Sequence, residues 1–145
     1  MIAVDTNLLV YAHRPEMSFH ERARQVLTEA VVAPEPVCVP WPCAHEFLAV
    51  VSDPRVFRDP TPIDVALDAV RRLFASLSGG FLAEGDGYLD ALDQIARPAL
   101  VQGPLVHDAR VAALCRFHGV RVLWSADRDF SRFPDLIVVN PLPKG

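Results

Sequence analysis

Short apolar runs alternate with longer helical stretches along the whole chain, and this alternation constrains the fold more than any other feature. Residues 1–5, 37–39, 81–83, 120–124 and 136–139 read as strands. They are near-continuously apolar, the pattern of strands buried on both faces. Between the strands lie segments with helical spacing. Strands that alternate with helices specify a mostly parallel sheet covered on both faces. The expected fold is therefore α/β, a three-layer sandwich with a mostly parallel central sheet. The 145 residues are 51% hydrophobic, enough for one core, and the expected organisation is a single domain over 1–145.

Thirteen prolines mark many of the boundaries. Leu8 to His13 read as a helix that Pro15 stops. Ser18 and Glu21 have capping-box spacing, and Phe19, Ala23, Val26, Leu27 and Ala30 make the apolar stripe of a second helix. Pro42 suits a first helical position, opening a helix that runs to about Ser52 and carries Glu46. Thr61 is expected to cap the next helix, with Pro62 first, and Gly79 and Gly80 to end it after Ser78. Tyr88 to Leu100 form another segment, which Pro98 kinks or ends early. Pro104 opens a helix with Asp108 in its first turn, and Gly119 closes it.

Four acids far apart in sequence fall at the same end of this plan. In an open α/β sheet, ligands bind outside the carboxyl ends of the strands. Asp5 ends the first strand, and Asp127 lies just past the strand ending at Trp124. Glu46 follows the second strand by a turn or two of helix. Each acid alone has a structural explanation: Asp5 as a helix cap, Glu46 as a solvated helix residue, Asp108 as a complement to the helix dipole, Asp127 as the cap of a turn leading to Phe130. Their convergence has a different one. Two carboxylates ~4 Å apart repel by about 4 kcal/mol at an effective dielectric of 20. A hard divalent cation relieves that repulsion, and an all-oxygen set suits Mg2+, with Mn2+ able to substitute. Phosphodiester hydrolysis is the chemistry that uses such a site.

The net charge of −4 argues against a nucleic-acid partner only until bound cations are counted. Lys144 is the sole lysine; the other basic residues are arginines, which suit phosphate. Cys38, Cys43 and Cys115 are odd in number and show no CxxC pairing, so each is expected as a buried, reduced thiol. No apolar run approaches the ~20 residues of a membrane span, and Asp5 interrupts the N-terminal apolar stretch too early for a signal peptide. A cytoplasmic location without a membrane partner is the expectation. His45 and His107 adjoin acids but point about 100° away on a helix, so neither is expected as a ligand. Trp41 and Trp124 are expected in core or interface. Arg128 is a secondary candidate for a phosphate contact.

Val4-Asp5-Thr6-Asn7, Glu46, His107-Asp108-Ala109, Ser125-Ala126-Asp127-Arg128-Asp129-Phe130 and Asn140-Pro141 together resemble the PIN domain. The small size resembles the VapC toxins of bacterial toxin–antitoxin pairs. That resemblance implies a magnesium-dependent endoribonuclease acting on RNA, held inactive by a cognate VapB-like antitoxin, and a homodimer. It implies Asp5, Glu46, Asp108 and Asp127 as catalytic and metal-binding residues. Thr6, Asn7 and Ser125 would orient the carboxylates, and Asp129 would be an additional, less uniformly used acid. The competing readings are a PIN-type RNA or DNA nuclease without an antitoxin and a non-catalytic module on the same fold. A phosphotransfer domain would need a functional lysine, and Lys144 stands near the end of the chain. An antitoxin helix is expected in a groove between the early helices and those from Pro42 to Ser78, lined by Phe47, Leu48, Val50, Val51, Val56 and Phe57.

Overall fold

The computed structural model describes residues 1–143; Lys144 lies outside the described residues. Five strands, β1 (Ile2–Val4), β2 (Val37–Pro40), β3 (Gly80–Leu82), β4 (Val122–Trp124) and β5 (Ile137–Val139), form one sheet in the order β3-β2-β1-β4-β5. Every pairing is parallel. All carboxyl ends therefore lie along one edge. The chain runs outward from β1 to β3, then returns to the other side of β1, so the order reverses between β1 and β4. That reversal opens a crevice at the carboxyl edge.

Six helices fill the crossovers: α1 (Thr6–His13), α2 (His20–Val32), α3 (Trp41–Val51), α4 (Ile63–Ser76), α5 (Tyr88–Ala96) and α6 (Leu105–Phe117). Right-handed crossovers place α1 to α4 on one face and α5 and α6 on the other. The packing follows suit: α1 meets α2 and α3, α3 meets α4, and α5 meets α6. Leu8, Val37, Val39, Leu114 and Leu123 are fully enclosed around the sheet. A short contact between α3 and α6 draws the two outer layers together.

Several helix ends differ from expectation for identifiable reasons. The Ser18–Glu21 capping box does not form. Instead the cap position falls one residue later, on Phe19, and α2 starts at His20, where His20 Nδ1 meets the Tyr11 carbonyl at 2.8 Å and Phe19 packs against the Tyr11 ring. Thr61 does not cap α4. Its Oγ1 lies 3.0 Å from both Arg14 Nη1 and His13 Nε2, which ties it to the end of α1. The same helix stops at Ser76, because the Gly79 backbone is already committed to the Val37 carbonyl at 2.8 Å. A Cβ at Gly79 would meet that carbonyl at 2.8 Å, so no other residue fits unshifted. Pro98 ends α5 at Ala96 rather than bending it.

The groove expected beside α3 is also corrected. Phe47, Val51 and Phe57 are core residues at 4%, 0% and 7% exposure, with Leu48 and Val50 half-buried against them; only Val56 is exposed. The run Phe47-Leu48-Ala49-Val50-Val51 is apolar on more than one side because α3 packs on α1, α4 and β2 at once. Exposed apolar side chains gather instead on α4, at Ile63, Val65, Leu67 and Phe74, with others scattered over the rest of the surface. Phe57 carries a second duty. The buried Arg14 guanidinium stands 4.3 Å from its ring, while also bonding Glu16, Thr61 and the Asp59 carbonyl. Phe57→Ala is therefore expected to cost about 3–5 kcal/mol in urea unfolding. A loss under about 1 kcal/mol would show that Phe57 lies on the surface.

Candidate metal centre

Asp5 is the centre of the crevice. It follows β1 directly, is 7% exposed, and caps α1 by accepting the Thr6 N–H at Oδ1 (2.8 Å). Two side chains add to this. The Ser125 hydroxyl donates to Oδ2 at 2.6 Å, and the Cys43 thiol donates to Oδ1 at 3.4 Å. Burial pushes the Asp5 carboxyl up, the three donors pull it back, and the Asp127 charge pushes it up again. The carboxylate is thus fixed in direction, and its structural role as a cap takes one oxygen only.

Asp127 shows the same division. Its Oδ1 accepts the Asp129 N–H at 2.8 Å and caps the short 3-10 turn Arg128–Arg132. The Asp127 N–H in turn donates to Ser125 Oγ at 2.9 Å. Ser125 therefore holds two acids with one hydroxyl: it gives its proton to Asp5 and accepts from the backbone of Asp127. The backbone there is pinned further by Asn7, whose Oδ1 accepts the Ala126 N–H at 3.4 Å. Thr6 holds a third acid, its hydroxyl lying 3.2 Å from Glu46 Oε2 and 3.4 Å from the Cys43 carbonyl. Of the expected supporting residues, Thr6 and Ser125 touch carboxylates directly, whereas Asn7 touches the loop that carries one.

Asp5, Glu46, Asp108 and Asp127 line one cleft of about 240 Å³, with Thr6, Asn7, Val10, Tyr11 and Val50. Glu46 comes from the second turn of α3 and Asp108 from the first turn of α6, so the α3–α6 contact closes the ring of acids. Carboxylate oxygens of Asp108, Asp127 and Asp129 all fall within 4.8 Å of one another. Desolvation, and after it the charges of Asp127, Asp129, Asp5 and Glu46, together raise the Asp108 carboxyl to about 6. None of the ion pairs among the described residues involves any of these five acids. Like charges gathered at such range, with no paired cation among the described residues, fit a hard divalent ion.

One contributor was not legible as such in the sequence. Cys43 stands three residues before Glu46 on α3, and that spacing puts both on one helix face. Its thiol is buried and pushed well above the usual range by desolvation, and then by the Asp5 charge, so it stays protonated and able to donate. Asp129, expected as an additional and less uniformly used acid, has its carboxylate within 4.8 Å of those of Asp108 and Asp127. Both tryptophans are half-buried against the core.

A family model described as the PIN domain matches residues 2–136. Ribonuclease VapC43 of Mycobacterium tuberculosis is 35% identical over 142 residues, covering 98% of this chain and 96% of the relative. Among solved structures, FitAB bound to the DNA fragment IR36 superposes with a TM-score of 0.74 at 20% identity, covering 100% of this chain and 98% of that one. VapC20 of Mycobacterium tuberculosis, described as a sarcin–ricin loop cleaving toxin, superposes with a TM-score of 0.63 at 20% identity, covering 90% and 93%.

The electrostatics yield a prediction without any substrate. An acid whose folded pKa is raised destabilises the fold while ionised. For Asp108 that penalty is present above about pH 6 and fades as pH falls through 6 towards the unfolded value near 4. In EDTA at pH 7.5, Asp108→Asn should raise Tm by a few degrees, and the gain should shrink at pH 5. A gain that is equal at both values, or a loss at pH 7.5, would contradict this charge arrangement.

Proposed function

Because this chain belongs to the PIN-domain family, we propose that residues 1–145 act as one metal-dependent endoribonuclease domain, the toxin of a type II toxin–antitoxin pair. The observation that carries the reading is the single cleft lined by Asp5, Glu46, Asp108 and Asp127, four acids from four separate segments. The relative VapC43 is a ribonuclease by name, and the structural neighbour VapC20 is described as a sarcin–ricin loop cleaving toxin. A non-catalytic module has no use for an unpaired ring of acids, and every acid of the family pattern is in place.

The donor set is all oxygen and the cleft is open to water on one side, which fits Mg2+, with Mn2+ as a substitute. Such an ion, when bound, offsets the charge of the phosphodiester and makes a water easier to deprotonate. The residues of the chain do the rest. Asp5, fixed by Thr6, Cys43 and Ser125, and Asp108 on rigid α6 are the proposed principal ligands. Glu46 and Asp127, each with an oxygen not used by the described protein bonds, are the proposed remaining ligands and the proposed groups that orient or deprotonate the attacking water. Asp129, whose carboxylate lies within 4.8 Å of those of Asp108 and Asp127, adds negative charge that strengthens cation capture.

Control of such an activity requires a partner. A VapB-like antitoxin with an arginine aimed at Asp5 or Asp108 would displace the ion through a bidentate pair. The exposed apolar residues of α4 give the toxin surfaces for that partner or for the second copy of a homodimer.

Purified protein should cut single-stranded RNA in magnesium, stop in EDTA, and resume with manganese. Asp5→Asn should lower the rate by at least about 100-fold while the circular dichroism spectrum stays unchanged. Full cleavage in EDTA or by the Asn variant would overturn the reading.

A further inference from the structure

Asp5, Glu46 and Asp108 face two clefts. The first, described above, has Val10, Tyr11 and Val50 on its far side and, among the described residues, no cationic side chain in its lining. The second lies between the first turns of α3 and α6 and is larger, about 440 Å³. Beyond the shared acids it is lined by Pro42, His45, Pro104, His107, Arg110 and Val111. One flank of the acidic ring is therefore apolar, and the other carries imidazoles and a guanidinium.

The second flank is built. His45 sits four residues after Trp41 on α3, and its ring stacks on the indole at 5.8 Å between centroids and 29° between planes. The indole is in turn held edge-on by Phe81 at 4.6 Å, and Phe81 by Phe74 at 5.2 Å. His45 is thus a flat, exposed ring backed by a rigid aromatic stack. Opposite it, Glu84 fixes Arg110: its Oε1 accepts from Nε and lies 3.0 Å from Nη2. No described bond uses the Nη1 hydrogens of Arg110, which are left to an incoming acceptor.

An RNA strand crossing four carboxylates meets repulsion at every phosphate except the one that a cation neutralises. The neighbouring phosphate needs a positive group of the protein itself, and of these two clefts the second offers one, Arg110, among the described residues. A base attached to that nucleotide then lies near a backed aromatic face. Stacking on such a face requires an unpaired base and is tolerant of its identity.

We propose that the cleft between the first turns of α3 and α6 binds one unpaired nucleotide next to the scissile bond, with its base on His45 and its phosphate on Arg110. The proposal rests on the ribonuclease reading and adds a direction to it: the strand leaves the acidic ring towards α6, away from Tyr11. His107, three residues before Arg110 on the same helix face, borders the phosphate position.

The test is steady-state cleavage of a short single-stranded oligoribonucleotide in magnesium, with manganese titration of each variant as a check on the acidic site. His45→Ala should raise KM about tenfold or more with little change in kcat. His45→Phe should restore it. An abasic nucleotide beside the cut should impose the same penalty on the wild type and none further on His45→Ala. Arg110→Gln should lower the slope of log KM against log salt by about 0.7, the share of one single-strand phosphate. Manganese affinity should be equal in all of them. If wild type cleaves and His45→Ala matches it in KM, or the abasic penalty persists in that variant, the nucleotide subsite is wrong while the ribonuclease reading stands. A wild type that cleaves no RNA overturns both.

Discussion

Mutual repulsion among carboxylates is the constraint on which the rest of this molecule depends. Five acids stand around one crevice, three of them with oxygens within 4.8 Å of one another. Left to themselves, such groups would move apart or take up protons. Here they are prevented from moving apart. Asp5 is held by a backbone N–H, a hydroxyl and a thiol, Glu46 by a hydroxyl, and Asp127 through the Ser125 hydroxyl and its own cap. Asp108, which no described hydrogen bond compensates, is raised to about 6, first by desolvation and then by the charges of the surrounding acids. The sheet supplies the rigidity. Two short parallel strands, β1 and β4, end side by side, and their first residues beyond the sheet are Asp5 and Ser125.

Structure and site share atoms throughout. One oxygen of Asp5 caps α1 and one oxygen of Asp127 caps the 3-10 turn, so the same side chains start secondary structure and face the cleft. The structural and the functional explanation of each acid are therefore not alternatives. A cap fixes the side chain, and a fixed side chain is what metal binding and catalysis need.

The fold and the acidic ring were legible in the sequence because both follow from periodicity. Continuous apolar runs marked the strands, and strand ends marked where Asp5 and Asp127 must lie. What was not legible depends on contacts between residues distant in sequence. Ser18 has capping-box spacing, yet Tyr11 draws His20 and Phe19 into a different start. Thr61 has cap chemistry, yet Arg14 and His13 claim its hydroxyl. The apolar run on α3 suggested an open groove, but its excess is used to meet three neighbours, and Phe57 folds over Arg14. Cys43 offered only the signal of its spacing from Glu46, since a thiol near a carboxylate has no pattern of its own. The stacked pair Trp41 and His45 is i, i+4 on a helix, a local signal, but its value comes from Phe81 behind it, which belongs to β3.

The central claim is that the ring formed by Asp5, Glu46, Asp108 and Asp127 exists to hold a hard divalent cation. Anomalous diffraction at the manganese edge, from crystals grown with manganese at neutral pH, tests it most directly. The account predicts a peak within bonding distance of carboxylate oxygens from Asp5 and Asp108, with Glu46 or Asp127 completing the protein ligands. Peaks confined to surface acids such as Asp53 or Asp93, with the ring empty at saturating manganese, would contradict it.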